Sequence, residues 1–270
     1  MTLFEGPIWL IGCGNMAGAM LQGWLRAGAD PRSFTVIRPS GTPVAEGVRV
    51  LTALPEDEVP ALVLLGVKPQ KLDEVAPSLA PALAAETILL SILAGVELGA
   101  LRARFAAPAT IVKAMPNLPV ALGKGVTELI SDSEDADARA RVDRLIGALG
   151  HVEWFEDEAG FNIASGLTGA APAFLFRFLD ALAGAATELG LAPDQAARLA
   201  ARMAEGAAAL AAGSDATPTE LARRVASPGG TTEAGLKVLD SEEGLKPLML
   251  RTLDASRRRE AELAAAARRG

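Results

Sequence analysis

Apolar residues are distributed along this chain in two regimes. From Ile8 to about Phe155, short apolar runs recur between stretches of helix-like periodicity. Runs at 8–11, 34–37, 62–67, 88–92, 110–113 and 126–130 are predicted strands. They are β-branched or leucine-rich and apolar on both faces, as parallel strands covered by helices should be. Strand and helix signals alternate, which predicts βαβ crossovers and a parallel sheet. From Phe161 onward alanine, leucine and arginine dominate, strand runs stop, and glycine or proline falls mostly at helix ends. The predicted class is α/β, a parallel-sheet domain over residues 1–156 followed by an all-α domain over 157–270.

Helix punctuation in the second half is explicit. Thr217-Pro218-Thr219-Glu220 combines a threonine N-cap, proline at the first helical position and glutamate three residues after the cap. Pro193 marks another helix start. Pro228 is expected to end the helix begun near Pro218, and Thr231 or Thr232 to cap the next one, from Glu233 to about Leu239.

Composition narrows the function. Half of the 270 residues are apolar, and the net charge is −7. An acidic balance excludes broad nucleic-acid affinity, which needs a concentrated basic face. A phosphate-bearing ligand must then be held by a few local cations and backbone amides. The single cysteine cannot form an intrachain disulfide, so a reducing compartment is expected. The N-terminal residues lack a cationic start, and the uncharged stretch 160–176 carries Asn162, Ser165, Thr168 and Pro172, a poor membrane span. A soluble cytoplasmic protein is the expectation, with no nucleic-acid or membrane partner.

The strongest local signal follows the first strand: Gly12-Cys13-Gly14-Asn15-Met16-Ala17. Gly-x-Gly-x-x-Ala supplies a tight turn at Gly12, close backbone approach to a pyrophosphate at Gly14, and a small Ala17 where helix meets sheet, as in Rossmann domains. The helix starting there aims free amides at the anion. An ordinary strand–turn–helix connection is the bland alternative. The second strand ends at Ile37, followed by Arg38-Pro39-Ser40 where a Rossmann domain reads the ribose. A carboxylate would accept from a 2′-hydroxyl; Arg38 instead can pair with a 2′-phosphate and Ser40 can donate to it, which favours NADP(H) unless Arg38 is simply solvated. Val67-Lys68-Pro69, Ala94-Gly95 and Asn117 follow later strands and are expected to line the cofactor. Cys13 reads as a small filler and His151, the one histidine, as structural. No metal site is expected.

Ser227-Pro228-Gly229-Gly230-Thr231-Thr232 is a second candidate, a loop of amides and hydroxyls at a helix N-terminus able to take a carboxylate, or else a well-capped connector. Over nearly its whole length the chain resembles pyrroline-5-carboxylate reductases. The resemblance rests on residues 11–16, Val67-Lys68-Pro69-Gln70, Ser91-Ile92-Leu93-Ala94-Gly95, Met115-Pro116-Asn117, Thr168-Gly169-Ala170-Ala171-Pro172-Ala173-Phe174 and the threonine loop. It departs from the family pattern at Ala170-Ala171, at Asp215, at Ala222 and near Leu54.

The resemblance implies hydride transfer from NADPH to the imine carbon of a five-membered cyclic imine acid, giving proline. It further implies that Ser227, Gly229, Gly230, Thr231 and Thr232 bind substrate, with Thr232 bonded to the ring nitrogen as the catalytic group, and that the helical domain pairs with a second copy. A related reductase of another cyclic imine or a keto acid, and a non-catalytic NADP-binding regulator, stay open.

Overall fold

The computed structural model describes residues 3–267, in two compact units. The first runs to Ala170 and includes the chain from Arg257 on; the second is Ala171–Ser256.

The first unit is built on one eight-stranded sheet. Its strands are β1 (Ile8–Ile11), β2 (Phe34–Ile37), β3 (Arg49–Leu51), β4 (Leu62–Leu65), β5 (Ile88–Ser91), β6 (Thr110–Pro116), β7 (Gly125–Ser131) and β8 (Gly150–Trp154). Their order is β3-β2-β1-β4-β5-β6-β7-β8. The chain leaves β1 toward β2 and later returns to β4 on its other side, so the strand order reverses at β1. In open α/β sheets a crevice forms at that reversal, beyond the carboxyl ends of the strands. Helices α1 (Asn15–Arg26), α2 (Leu72–Leu79), α3 (Leu98–Arg104) and α4 (Ala136–Gly147) connect the strands, and α5 (Glu158–Thr168) follows the last one.

Alternation along each strand feeds two cores, one on each face. Ile8 and Leu10 join Met20, Trp24 and Phe34 in one. Trp9 and Ile11 join Leu79, Leu101 and Phe105 in the other. Trp24 stacks on Phe34 with centroids 5.6 Å apart and donates its indole N–H to Leu145 O at 2.7 Å, satisfying the polar atom such a large buried ring brings.

The sheet departs from the parallel expectation at one place. β7 runs antiparallel to β6, with Lys113 opposite Ile130 and Met115 opposite Glu128. The segment joining them is a 3₁₀ turn, Leu118–Leu122, closed by left-handed Gly123. It is too short for a parallel crossover, which takes a dozen or more residues. Two strands also lie outside the predicted set: β3 is a three-residue edge, and β8 is the other edge, with exposed and half-buried residues alternating.

The second unit holds α6 (Ala171–Glu188), α7 (Pro193–Ala212), α8 (Pro218–Val225), α9 (Thr231–Leu239) and most of α10 (Leu245–Ala267). The expected capping box is present: Thr217 Oγ1 accepts from Glu220 N at 3.3 Å while Glu220 Oε2 accepts from Thr217 N at 2.7 Å. α8 ends at Val225, before Pro228. Within this unit only Ala196 and Ala200 are buried, whereas Leu175, Phe176, Phe178 and Leu182 on α6 are exposed. By length and hydropathy alone the run Glu158–Glu188 could cross a membrane (mean hydropathy 1.2), more than the sequence reading allowed. It is nonetheless two helices, interrupted at Gly169 and Ala170.

Candidate functional site

The reversal at β1 opens a cleft of about 920 Å³ lined by Gly12, Cys13, Gly14, Arg38, Ser40, Thr52, Leu54, Val67, Lys68 and Lys71, among others. Gly12 N donates to Ile37 O at 2.8 Å and Gly66 N to Ile11 O at 2.9 Å, stitching three strand ends together beneath it. The two glycines of the loop do different work. Gly12 has φ +80, and a Cβ there would lie 3.0 Å from Val67 Cγ1 and 3.1 Å from Gly66 O, so the fold itself requires glycine. Gly14 has φ −80 and ψ −162, and a Cβ there would meet nothing within 4 Å. Its bareness serves no packing need of the protein and suits a ligand lying against the backbone. A Cβ on Gly66 would come within 2.9 Å of Ala17 Cβ, so this pair sets how closely α1 approaches the sheet.

α1 presents an N-terminus with no side-chain cap and no acidic residue in its first turn. Its free N–H groups and positive dipole end suit a diphosphate. Asn15 and Met16 occupy that turn without lining the cleft. Across from it, Arg38 is anchored by its backbone, N donating to Leu51 O at 2.9 Å, and its guanidinium has no acceptor among the described residues. Ser40 Oγ accepts from Thr42 N at 3.3 Å, which leaves its proton for a ligand. Thr52, just past β3, and Lys71, paired with Glu74 at 2.5 Å, were missed from sequence. Burial pushes the Cys13 thiol up, with the Arg38 charge opposing, so it stays a neutral filler. These features fit a dinucleotide carrying an extra phosphate.

Further along the carboxyl edge, Pro69 opens a 3₁₀ turn after β4, and Ala94-Gly95 follow β5, Gly95 with φ +74. None of the three lines the cleft. Asn117 departs from its expected ligand-facing place. It is 6% exposed; its Nδ2 donates to Thr168 O at 3.2 Å and its Oδ1 accepts from Val126 N at 2.9 Å. Each end of the amide makes one bond to the unit's own backbone. Beside it lies Glu128, 1% exposed, against the Thr168 hydroxyl. The sequence reading passed over it because one acid in an apolar strand reads as an outward position. His151 is exposed and pairs with Glu153 at 3.1 Å.

In the second unit, the Ser227 loop is a tight turn. Gly230 N donates to Ser227 O at 2.9 Å, and Gly229 has φ +69, the pattern of a turn with proline then glycine at its centre. Neither threonine caps α9. The N-cap is Gly230, without a side-chain bond, and the helix starts at Thr231. The capping acid is Glu233, whose Oε2 accepts from Gly229 N at 2.6 Å while Oε1 lies 3.5 Å from Lys237. The amides of Gly229 and Gly230 are thus engaged, which corrects the expectation of a loop whose amides are all free. The first-turn N–H groups of Thr231, Thr232 and Glu233 have no acceptor within the helix. Thr232 is half-buried and Thr231 exposed.

Two family models match. Residues 158–263 match "pyrroline-5-carboxylate reductase dimerisation", and residues 7–95 match "NADP oxidoreductase coenzyme F420-dependent". The chain is 35% identical to a pyrroline-5-carboxylate reductase of Pseudomonas aeruginosa, covering 95% of this chain and 96% of that one. It is 32% identical to that of Pisum sativum, covering 94% of each. Among solved structures, a pyrroline-5-carboxylate reductase from Coxiella burnetii superposes with TM-score 0.87 at 31% identity, over 96% of this chain and 98% of that one.

Proposed function

This chain belongs to the pyrroline-5-carboxylate reductase family, and on that premise we propose that it reduces 1-pyrroline-5-carboxylate to L-proline with NADPH. The observation that supports this most directly is the pairing, within one relative of those enzymes, of an open phosphate loop with a free Arg38 across from it. In this reading residues 1–156 hold the cofactor and 157–270 serve the substrate and the subunit contact. NADPH supplies the hydride that adds to the imine carbon.

The chain's own residues hold and orient. Amides at Gly12–Met16 take the diphosphate, and Arg38 and Ser40 take the 2′-phosphate. Val67, Lys68, Pro69, Ala94 and Gly95 form the continuing edge for the rest of the cofactor, with Asn117 supporting it from behind. In the second unit, the turn from Ser227 through Gly229 and Gly230 sets the start of α9, whose Thr231 and Thr232 amides receive the substrate carboxylate. The Thr232 hydroxyl bonds the ring nitrogen and keeps its proton in place while the carbon is reduced. A protonated imine is already an electrophile, so positioning suffices (effective molarities worth up to ~7–11 kcal/mol). The exposed apolar side of α6 is the surface a second copy covers, in the cytoplasm.

NADPH consumption by the purified protein with pyrroline-5-carboxylate, run beside ketopantoate and other cyclic imines, is expected to be fastest with the five-membered imine acid. A faster rate on ketopantoate overturns the assignment. Arg38→Ala is expected to raise the KM for NADPH about 10- to 100-fold, the value of one charge-assisted bidentate bond, and that for NADH little; equal effects remove Arg38 from the 2′-phosphate. In Thr232→Val, turnover is expected to fall about 10- to 100-fold, by loss of a positioned hydrogen bond, with NADPH affinity unchanged. Wild-type turnover in that variant ends its role.

A further inference from the structure

Under α5 the first unit buries polar side chains that cofactor binding does not use. Glu128 on β7 is 1% exposed, its Oε1 within hydrogen-bond reach of Thr168 Oγ1, and its Oε2 has no partner among the described residues. Thr168 is the last residue of α5. Its carbonyl accepts from Asn117 Nδ2 at 3.2 Å, and its hydroxyl also reaches Ala164 O at 3.2 Å. Two residues later, between Ala170 and Ala171, the chain leaves this compact unit for the other. We propose that Glu128 is a positioning residue for imine reduction: held as the neutral acid, it clamps Thr168 and so fixes the direction in which the chain exits the first compact unit.

Proton counting supports the neutral form. The Thr168 hydroxyl has one proton and two acceptors in reach, Glu128 Oε1 and Ala164 O. With Glu128 ionised, one contact pairs lone pairs against lone pairs, and a charged oxygen sits buried without a partner, an expensive arrangement. With Glu128 protonated, Oε1–H donates to Thr168 Oγ1 and the hydroxyl donates to Ala164 O, so both contacts are made. Burial raises the Glu128 carboxyl above its ordinary value, against smaller opposing effects of the Thr168 hydrogen bond, its own backbone N–H and His151.

The charged side chains on the surrounding elements are few. Lys113 on β6 is 2% exposed with its ammonium 4.6 Å from the Phe161 ring centre; His151 and Glu153 on β8 pair with each other; Glu158 on α5 accepts from Leu98 N at 2.8 Å. None of the bonds described for them reaches Oε2. Because the folded pKa is raised, the clamp is complete below the ordinary carboxylate pKa and is lost as pH rises through the folded one.

The proposal rests on the imine-reductase reading for its kinetic arm alone, since amide exchange at residues 165–170 reports on the clamp without turnover. In Glu128→Gln, the amide can still donate to Thr168 at every pH. Its kcat is expected within about twofold of wild type at the acid end of the pH profile, with the wild-type to variant ratio falling as pH rises. Thr168→Val and Glu128→Leu are expected to lower kcat about tenfold, with NADPH Kd unchanged and exchange at 165–170 faster. A Glu128→Gln variant as impaired as Glu128→Leu, or a ratio flat with pH, overturns the neutral clamp. Unchanged exchange at 165–170 in both Thr168→Val and Glu128→Leu overturns the clamp itself, whatever the activity.

Discussion

Gly14→Val is expected to weaken NADPH binding by more than about 100-fold, the loss of two amide–phosphate hydrogen bonds, while leaving the melting temperature where it was. The backbone at Gly14 is extended and open to any residue, and a side chain there touches no protein atom within 4 Å. Folding is therefore indifferent to it. The valine would instead stand where a diphosphate must approach the amides that open α1. Gly12→Ala makes the contrasting case. With φ +80 and neighbours at 3.0 and 3.1 Å, it is expected to cost about 1–3 kcal/mol of stability through backbone strain alone. Calorimetric titration with NADPH and a thermal melt on both variants check the pair. Tight NADPH binding by Gly14→Val would mean that no diphosphate lies against this loop.

Phe176→Asp is expected to convert the assembly to monomers at micromolar protein and to melt the helical unit with it. The reason lies in what that unit lacks. Its buried side chains are Ala196 and Ala200 alone, while Phe176 on α6 is 60% exposed in the single chain. Alanines bury too little surface to offset the entropy of ordering long helices, so stability must come from a partner that covers the larger side chains. A desolvated phenylalanine contributes about 1.5–3 kcal/mol on each side of a two-fold interface, and a buried carboxylate costs more than that. Sedimentation velocity with circular dichroism reads both effects. A variant that stays dimeric would show that α6 meets its copy through another face.

The sheet was largely legible because apolar runs at 8–11, 34–37, 62–67 and 88–92 have no reading but buried strands. Three features were not. β3 and β8 are edges, half exposed, and carry no apolar run to announce them. The direction of β7 was invisible because burial on both faces is the same whichever way a strand runs; only the shortness of the turn after Asn117 carried that information. At α9, the turn through Pro228 and Gly229 brings the helix start forward to Thr231 and leaves capping to Glu233, which a search for threonine caps overlooks. That Gly12, Gly14, Arg38 and Ser40 line one cleft was readable because each stands at the end of a predicted strand. Glu128 was not, since its meaning depends on Thr168, brought to it only by the fold.

The two rims of the sheet decide how copies of this protein can meet. One rim is the three-residue β3 with exposed Arg49, and the other is β8, whose outward positions are the polar His151 and the charged Glu153. Short, charged rims refuse further strands. Growth by joining sheets end to end, the common route to fibres, is opposed at both rims, and the larger exposed apolar side chains lie instead on the helices, as at Leu175 and Phe176.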